Sequence, residues 1–258
     1  MKKLFAIDII IEVIFGREGG NMRFRVDVDL NGNSLVLPIH YQQLIQGILY
    51  HAMPRLAADK AHYQAKGVRN LPLFTFSQLF GDFSKDDKKG TLLFSKLYFY
   101  VSFKDEVLGY EVVKQMMKGI DFYGEPYACH IHLLPAYSKG HWIDTLSPIL
   151  VRRTDPATKK VTFFKPNTVD FTLAIYNNLK RKYFHYYGKE YVGEFALSAI
   201  PETIESVSVR YKNTYLKGYS GKFYLIASPQ AMEILYDMGL GEKNAQGFGM
   251  FRMEEEDV

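Results

Sequence analysis

The strongest constraint on the fold is a change of hydrophobic period near the start of the chain. From Met22 to Leu30 apolar and polar residues alternate strictly, which is the pattern of a strand with one buried face. After a turn at residues 31–33, apolar residues recur at helical spacing from Tyr41 to Met53. Pro54 ends this predicted helix and can open a second one that runs towards His62.

Strand and helix patterns continue through the N-terminal half. The sequence predicts strands at Leu71–Leu79 and Leu92–Phe103, separated by a charged loop at Asp82–Gly90. A helix at Asp105–Lys118 and a strand at Tyr127–Leu134 follow. The resulting order is βαββαβ, which is that of a ferredoxin-like unit.

The C-terminal half repeats this order. The predicted elements are a strand at Thr145–Arg152, a helix capped by Asn167 that continues to Tyr183, strands at Ser206–Tyr211 and Lys222–Ser228, a helix from Pro229 to Met238 and a strand at Gly247–Met253. The sequence therefore predicts an α+β protein with two tandem ferredoxin-like (RRM-like) domains, residues 22–140 and 141–258, divided near Gly140.

Residues 1–21 stand apart from these two units. Lys2 and Lys3 precede an apolar stretch, but Asp8 and Glu12 interrupt it, so it matches neither a cleavable signal peptide nor a membrane span. Residues 17–20 are what a purine-rich ribosome-binding site would encode if translated. We therefore expect residues 1–21 to be an extension and the natural start to lie at Met22.

Composition limits the class of protein. Hydrophobic residues make up 47% and charged residues 23% of the chain, which excludes disorder as its main state. A net charge of +4 permits a polyanionic partner without requiring one. The 19 Phe and 19 Tyr favour a β-rich core, and exposed tyrosines that stack on bases are the alternative. The single cysteine, Cys129, excludes an intramolecular disulfide and fits a reducing cytoplasm.

A glycine-rich loop at Gly239–Gly249 is the most informative motif. It contains four glycines, whereas a helix end accounts for one or two. The loop lacks the Ser or Thr of a P-loop after its lysine, and it follows a helix and enters a strand, which excludes nucleotide-cofactor fingerprints. A run of backbone N–H groups beside Lys243 suits a phosphate backbone instead.

Three further segments accompany this loop: Tyr41–Tyr50 after Leu37-Pro38, Leu146–Arg153, and Asn178–Gly188. With these segments in this order, the chain resembles the CRISPR-associated endoribonucleases that process repeat RNA, the Cas family numbered six. The resemblance extends from Met22 to Met253 and implies two tandem ferredoxin-like halves, in agreement with the periodicity.

The resemblance also implies a reaction. It implies that precursor crRNA is cut within each repeat without a metal or cofactor. In the family reaction the RNA 2′-hydroxyl is the nucleophile, and the products carry 5′-hydroxyl and 2′,3′-cyclic phosphate ends. Such a reaction needs a base, an acid and a cation near the phosphate.

The family arrangement of tyrosine, histidine and lysine falls on Tyr50, His62 and Lys66. Arg69 is the substitute for Lys66, and His40 and His51 are the alternatives to His62.

Basic residues are the candidate phosphate contacts. Each alone is typical of solvated surface, but together they predict a basic groove between the halves. The candidate RNA-binding residues are Arg152, Arg153, Lys180, Arg181, Lys182, Gly241, Lys243, Asn244, Gly247 and Gly249, with Lys159 and Lys160 as further candidates. His130 and His132 share a strand face near Cys129, but their spacing is not that of a zinc site, so no metal is predicted.

The expected partner is CRISPR repeat RNA, with no membrane involved. A non-cleaving RNA-binding subunit of a CRISPR ribonucleoprotein is the alternative function, and an unrelated ferredoxin-like binding module is a third. Association with other CRISPR-associated proteins and formation of a homodimer both stay open.

Overall fold

The computed structural model describes residues 22–54, 74–135 and 140–254. Its N-terminal elements are β1 (Met22–Val28), β2 (Leu35–Pro38), α1 (Gln42–Ala52), β3 (Phe74–Phe76), β4 (Phe83–Asp86), β5 (Thr91–Phe94), β6 (Leu97–Phe103), α2 (Glu106–Met116), β7 (Ile120–Phe122), β8 (Glu125–Tyr127) and β9 (Cys129–Leu133).

The first sheet has four antiparallel strands in the order β3-β6-β1-β9. Alternation along β1 buries Phe24 and Val26 on the face that packs with Ile45 and Leu49 of α1. In the chain, α1 lies between β1 and β3, and α2 lies between β6 and β9. This is the ferredoxin-like arrangement that the sequence predicts.

Three predicted elements in this half differ from the structure. The strand predicted at Leu92–Phe103 is interrupted, because the N–H groups of Ser95 and Lys96 turn back to bond Asp82 O at 2.9 and 3.3 Å. Residues before this turn, β5, join β2 and β4 in a separate sheet, so the predicted loop at Asp82–Gly90 contains a strand. Of the described part of Leu71–Leu79, only β3 is a strand.

The C-terminal elements continue this numbering. They are β10 (Trp142–Thr145), β11 (Arg152–Thr154), β12 (Val161–Phe163), α3 (Val169–Tyr187), β13 (Phe195–Ala199), β14 (Glu205–Tyr211), β15 (Thr214–Ser220), β16 (Lys222–Ala227), α4 (Pro229–Met238) and β17 (Phe251–Met253), with short 3₁₀ turns at Pro201–Thr203 and Asn244–Gln246.

The second sheet is also antiparallel, in the order β13-β16-β10-β17. With α3 between β10 and β13 and α4 between β16 and β17, this is the same ferredoxin-like order as in the first half. The fold is therefore α+β with two tandem ferredoxin-like units, as predicted. Residues 136–139, next to the predicted boundary at Gly140, lie outside the described residues, and the exact division of the chain stays a prediction.

The strands of this half differ from the prediction. The predicted strand at Thr145–Arg152 is wrong: the strand ends at Thr145, and residues 146–151 form an irregular segment that is buried throughout. A run buried on both sides has the same composition as a central strand, which explains the error. Ser206–Tyr211 belongs to the separate β14–β15 hairpin, and the second strand of the sheet is β13, which the sequence reasoning missed.

Asn167 does not cap α3. Thr168 is the N-cap, and its Oγ1 accepts a hydrogen bond from Phe171 N at 3.3 Å. Asn167 has a left-handed φ of 59°, and its amide binds both backbone groups of Ala199, with distances of 2.7 Å to N and 2.9 Å to O. The residue therefore joins the start of α3 to the edge of β13.

Among the described helices, none is both long and apolar enough to cross a membrane.

Candidate functional site

Tyr50 lies near the C-terminal end of α1 and is half-buried. Its ring packs edge-on against Phe74 of β3, with 5.7 Å between the centroids. Burial, with a smaller effect of Tyr211, raises the pKa of Tyr50 to about 12. The hydroxyl is therefore protonated near neutral pH, which suits a hydrogen-bond donor better than a base.

His62, Lys66 and Arg69 lie outside the described residues. In the chain they belong to the connection between Pro54, just after α1, and Phe74, the first residue of β3. The positions of α1 and β3 therefore set where this connection begins and ends.

The two alternative histidines both line a groove of about 990 Å³ along α1. His51 is exposed. His40 Nδ1 accepts a hydrogen bond from Arg210 N of β14 at 3.2 Å, which places the ring proton on Nε2. Burial, with a smaller effect of Arg210, lowers the pKa of His40. Its accepting nitrogen is thus already engaged, so His51 is the better placed of the two to accept a proton.

Five of the predicted RNA-binding residues lie on β11 and α3: Arg152, Arg153, Lys180, Arg181 and Lys182. Arg153 and Arg181 are exposed, and Lys180 lies over the ring of Tyr176 at 4.8 Å. Arg152 Nε is 3.9 Å from the carboxylate of Glu242 in the glycine-rich loop. This contact places the start of β11 beside the loop. Lys159 and Lys160 are exposed in the connection between β11 and β12.

Lys182 is not a surface residue, so its predicted phosphate contact is wrong in this structure. Its side chain is fully buried, and Nζ donates to Gly239 O at 2.6 Å, Asn244 Oδ1 at 2.8 Å and Gly241 O at 3.2 Å. Burial, with a smaller effect of Arg181, lowers the pKa of Lys182 to about 7. A signal was present in the sequence, because Lys182 follows Leu179 by three residues and shares its helix face.

Asn244 is buried as well, which corrects its assignment as an RNA contact. Its Nδ2 donates to Leu240 O at 3.1 Å and to Phe248 O at 2.9 Å, while its Oδ1 accepts from Lys182. The side chain therefore ties the two ends of the loop together.

Most of the loop's backbone donors that we expected to face phosphate already donate to carbonyls of the protein. Gly247 N donates to Asn244 O at 3.0 Å, and Gly249 N donates to Pro148 O at 2.8 Å. The N–H groups of Leu240, Glu242 and Gln246 bond Gly249 O, Leu150 O and Lys243 O, each at 2.8 Å. Gly241, Gly247 and Gly249 are themselves buried. The prediction that a cradle of these N–H groups binds phosphate is therefore wrong for this conformation.

Close packing explains the glycines instead. Gly249 has φ +81°, and a Cβ there would lie 1.9 Å from Leu240 O. Gly247 also has φ +81°, and its Cβ would lie 2.6 Å from the ring of Phe76 on β3. Lys243 remains at the partly exposed edge of the loop. A side chain would clash at either position. Glycine therefore lets residue 249 approach the carbonyl of Leu240 and residue 247 approach the ring of Phe76.

The loop joins the two ferredoxin-like units. Ala245 is buried with the N-terminal core, and its carbonyl accepts a hydrogen bond from Gln46 Nε2 of α1 at 2.6 Å. Thr75 Oγ1 of β3 donates to Phe248 O at 3.1 Å. Gln46 Oε1 in turn accepts from the hydroxyl of Tyr211 on β14. The C-terminal half thus holds both α1 and β3.

A second contact between the halves is electrostatic, and sequence reasoning missed it. Lys104, at the end of β6, is buried and pairs with Asp237 of α4 at 3.2 Å and with Glu233 of the same helix. Burial alone would lower the pKa of Lys104, but the two carboxylates outweigh it and raise that pKa. The guanidinium of Arg23 lies 3.8 Å over the ring of Tyr236.

In the parts of the chain that the structure describes, no three His, Cys, Asp or Glu side chains form a group that could hold a metal ion.

Comparison with known proteins gives a consistent result. Residues 134–253 match the family model described as "CRISPR associated protein Cas6, C-terminal". Over 226 residues, the chain is 26% identical to the CRISPR-associated endoribonuclease Cas6 of Pyrococcus furiosus, covering 84% of each chain.

Two solved structures share the fold. One is described as a Cas6-related gene product from Pyrococcus furiosus, with a TM-score of 0.79, 19% identity and coverage of 92% of this chain and 100% of that one. The other, an RAMP protein described as binding different RNA substrates, has a TM-score of 0.76, 18% identity and coverage of 90% and 99%.

Proposed function

We propose that this chain, which resembles the Cas6 endoribonucleases along most of its length and matches their C-terminal domain over residues 134–253, binds CRISPR repeat RNA and cleaves precursor crRNA within each repeat. The observation that carries the proposal is the match to a Cas6 endoribonuclease over 84% of both chains. A match of that length includes parts of both ferredoxin-like units, and with them the region that carries Tyr50 and its neighbours.

The proposed chemistry uses the RNA as its own nucleophile. The 2′-hydroxyl attacks the adjacent phosphorus and loses its proton to a base, while the 5′-oxygen leaves with a proton from an acid, giving 2′,3′-cyclic phosphate and 5′-hydroxyl ends. His62 is the proposed base, with His51 as the alternative. The protonated hydroxyl of Tyr50 donates a hydrogen bond to the reacting phosphate, and Lys66 stabilises its added negative charge.

Basic residues on β11 and α3, the two elements that contact the glycine-rich loop, support an RNA path on the C-terminal half. Arg152 of β11 lies near Glu242, and Lys182 of α3 binds Gly241, so β11 and α3 flank the same end of the loop. Exposed Arg153 and Arg181 on these elements are the proposed phosphate contacts, together with Arg152, Lys180 and Lys243.

The test is an incubation of the full chain with end-labelled repeat RNA in EDTA, beside the same RNA with one 2′-deoxy nucleotide before the cleavage site. We expect the first RNA to be cut to a 2′,3′-cyclic phosphate end and the second to be bound but not cut. Cleavage of the deoxy substrate would contradict the proposed nucleophile. Binding of both RNAs without cleavage would favour the non-cleaving subunit.

The residue assignments are tested by His62→Ala and Tyr50→Phe in the same assay. Each variant should slow single-turnover cleavage at saturating protein while leaving the dissociation constant for RNA unchanged. Normal cleavage by His62→Ala would transfer the role to His51, which His51→Ala would then test.

A further inference from the structure

The glycine-rich loop contacts both α1, which carries Tyr50, and β3, against which Tyr50 packs. On α1, Gln46 Nε2 donates to Ala245 O at 2.6 Å. On β3, Thr75 Oγ1 donates to Phe248 O at 3.1 Å. The loop therefore holds the helix that carries Tyr50 and the strand beside it.

β3 also supports Tyr50 directly. The ring of Tyr50 packs on Phe74, and Gly247 of the loop lies against Phe76, two residues further along the same strand. Gln46 lies one helical turn before Tyr50 on α1. A displacement of the loop would thus reach Tyr50 through both α1 and β3.

Lys182 holds the loop in this shape. Its ammonium group donates to three buried oxygens, two backbone carbonyls at Gly239 and Gly241 and the side chain of Asn244. Asn244 then binds the carbonyls of Leu240 and Phe248. Without the ammonium group these oxygens would lose a buried donor, and the loop would have to rearrange to satisfy them.

We infer that Lys182 is a positioning residue for RNA cleavage: it braces the glycine-rich loop, and the loop holds α1 and β3 so that Tyr50 meets the scissile phosphate. This inference rests on the proposed function. Lys182 touches no RNA in this scheme, so it affects the rate of the chemical step rather than RNA affinity. Misplacement of reacting groups by about 1 Å is enough to slow a reaction by about a hundredfold.

The first experiment compares Lys182→Met with Lys189→Met, which removes an exposed lysine beyond the end of α3. Lys182→Met should lower the single-turnover cleavage rate by about tenfold to a hundredfold with an unchanged dissociation constant for repeat RNA. Lys189→Met should match the wild type in rate. A Lys182→Met variant that loses affinity but keeps its rate would overturn the inference.

A second variant covers the case in which Lys182→Met does not fold. Gln46→Leu breaks the hydrogen bonds of α1 to the loop and to Tyr211 of β14, and it leaves the interior of the loop intact. It should show the same loss of rate without loss of affinity. If both residues act through the loop, the double variant should be no slower than the slower single variant. If the losses of rate in the two single variants add fully in the double variant, the two residues act separately, which contradicts the inference.

Hydrogen–deuterium exchange separates this inference from the proposed function. In Lys182→Met, exchange should increase in the loop and in α1, whereas β9, on the far side of the first sheet, should be unchanged. If the wild type cuts no RNA, the proposed function fails, and exchange alone decides whether Lys182 holds α1 through the loop. Unchanged exchange in α1 would overturn that inference in either case.

Discussion

Replacing Gly249 by alanine tests whether the loop is built by close packing. At φ +81° an alanine costs about 1 kcal/mol in the backbone alone. Its Cβ would also lie 1.9 Å from Leu240 O, so the backbone must move. That movement breaks the hydrogen bonds from Leu240 N to Gly249 O and from Gly249 N to Pro148 O, both 2.8 Å, at about 1 kcal/mol each. The expected loss of unfolding free energy is about 3 kcal/mol.

Gly188 supplies the matched control. It ends α3 at φ +68°, and a Cβ there meets no atom within 4 Å. Gly188→Ala should therefore lose only the backbone contribution, about 1 kcal/mol. Urea unfolding followed by circular dichroism gives both free energies, provided that the m-values agree. Equal losses in the two variants would refute the argument that Gly249 is required by the approach of Leu240.

The remaining predictions concern charge. Because the pKa of Lys182 is about 7 in the folded chain and near 10.5 when unfolded, the unfolded chain binds more protons between these values. The free energy of unfolding of the wild type should therefore rise from pH 7 towards pH 10, by at most about 1.4 kcal/mol per pH unit. If urea unfolding of Lys182→Met shows the same rise with pH, Lys182 is not its cause. Lys104→Met leaves Asp237 and Glu233 facing each other without their cation, so we expect a loss of about 3–5 kcal/mol in the same assay. Adding Asp237→Leu should recover part of this loss, and a double variant as unstable as the single one would count against the pairing. Arg153→Ala should weaken RNA binding and reduce the salt slope of the binding constant by about 0.7 in filter-binding titrations, whereas an unchanged slope would exclude a phosphate contact.

The sequence correctly predicts the elements in which one face is buried and the other is exposed to solvent. Alternation identifies β1, and helical spacing identifies α1 and α3, because each period matches the side of the element that faces the core. The same reasoning fails at residues 146–151, where every side is buried and no period exists. It also misses β13, whose five residues include two alanines and carry too little pattern to separate a strand from a loop.

The site shows a similar limit. Spacing along a helix was enough to place Lys182 on the buried face of α3, but its charge favoured a surface assignment. Its three acceptors lie about 60 residues later in the chain and become neighbours only when the second unit folds. The role of the loop's glycines was ambiguous for a similar reason. The left-handed backbone that glycine permits allows close approach to a bound phosphate and to a neighbouring carbonyl equally well.

The amide of Asn167 has a consequence for how the protein behaves among its own copies. β13 is the outermost strand of its sheet, and such edges tend to recruit a strand from another molecule and so seed aggregates. Asn167 occupies both backbone groups of Ala199, and Thr172 Oγ1 donates to Leu197 O at 3.3 Å. An invading strand would first have to displace these side chains, so the start of α3 protects the sheet against growing from one molecule into the next.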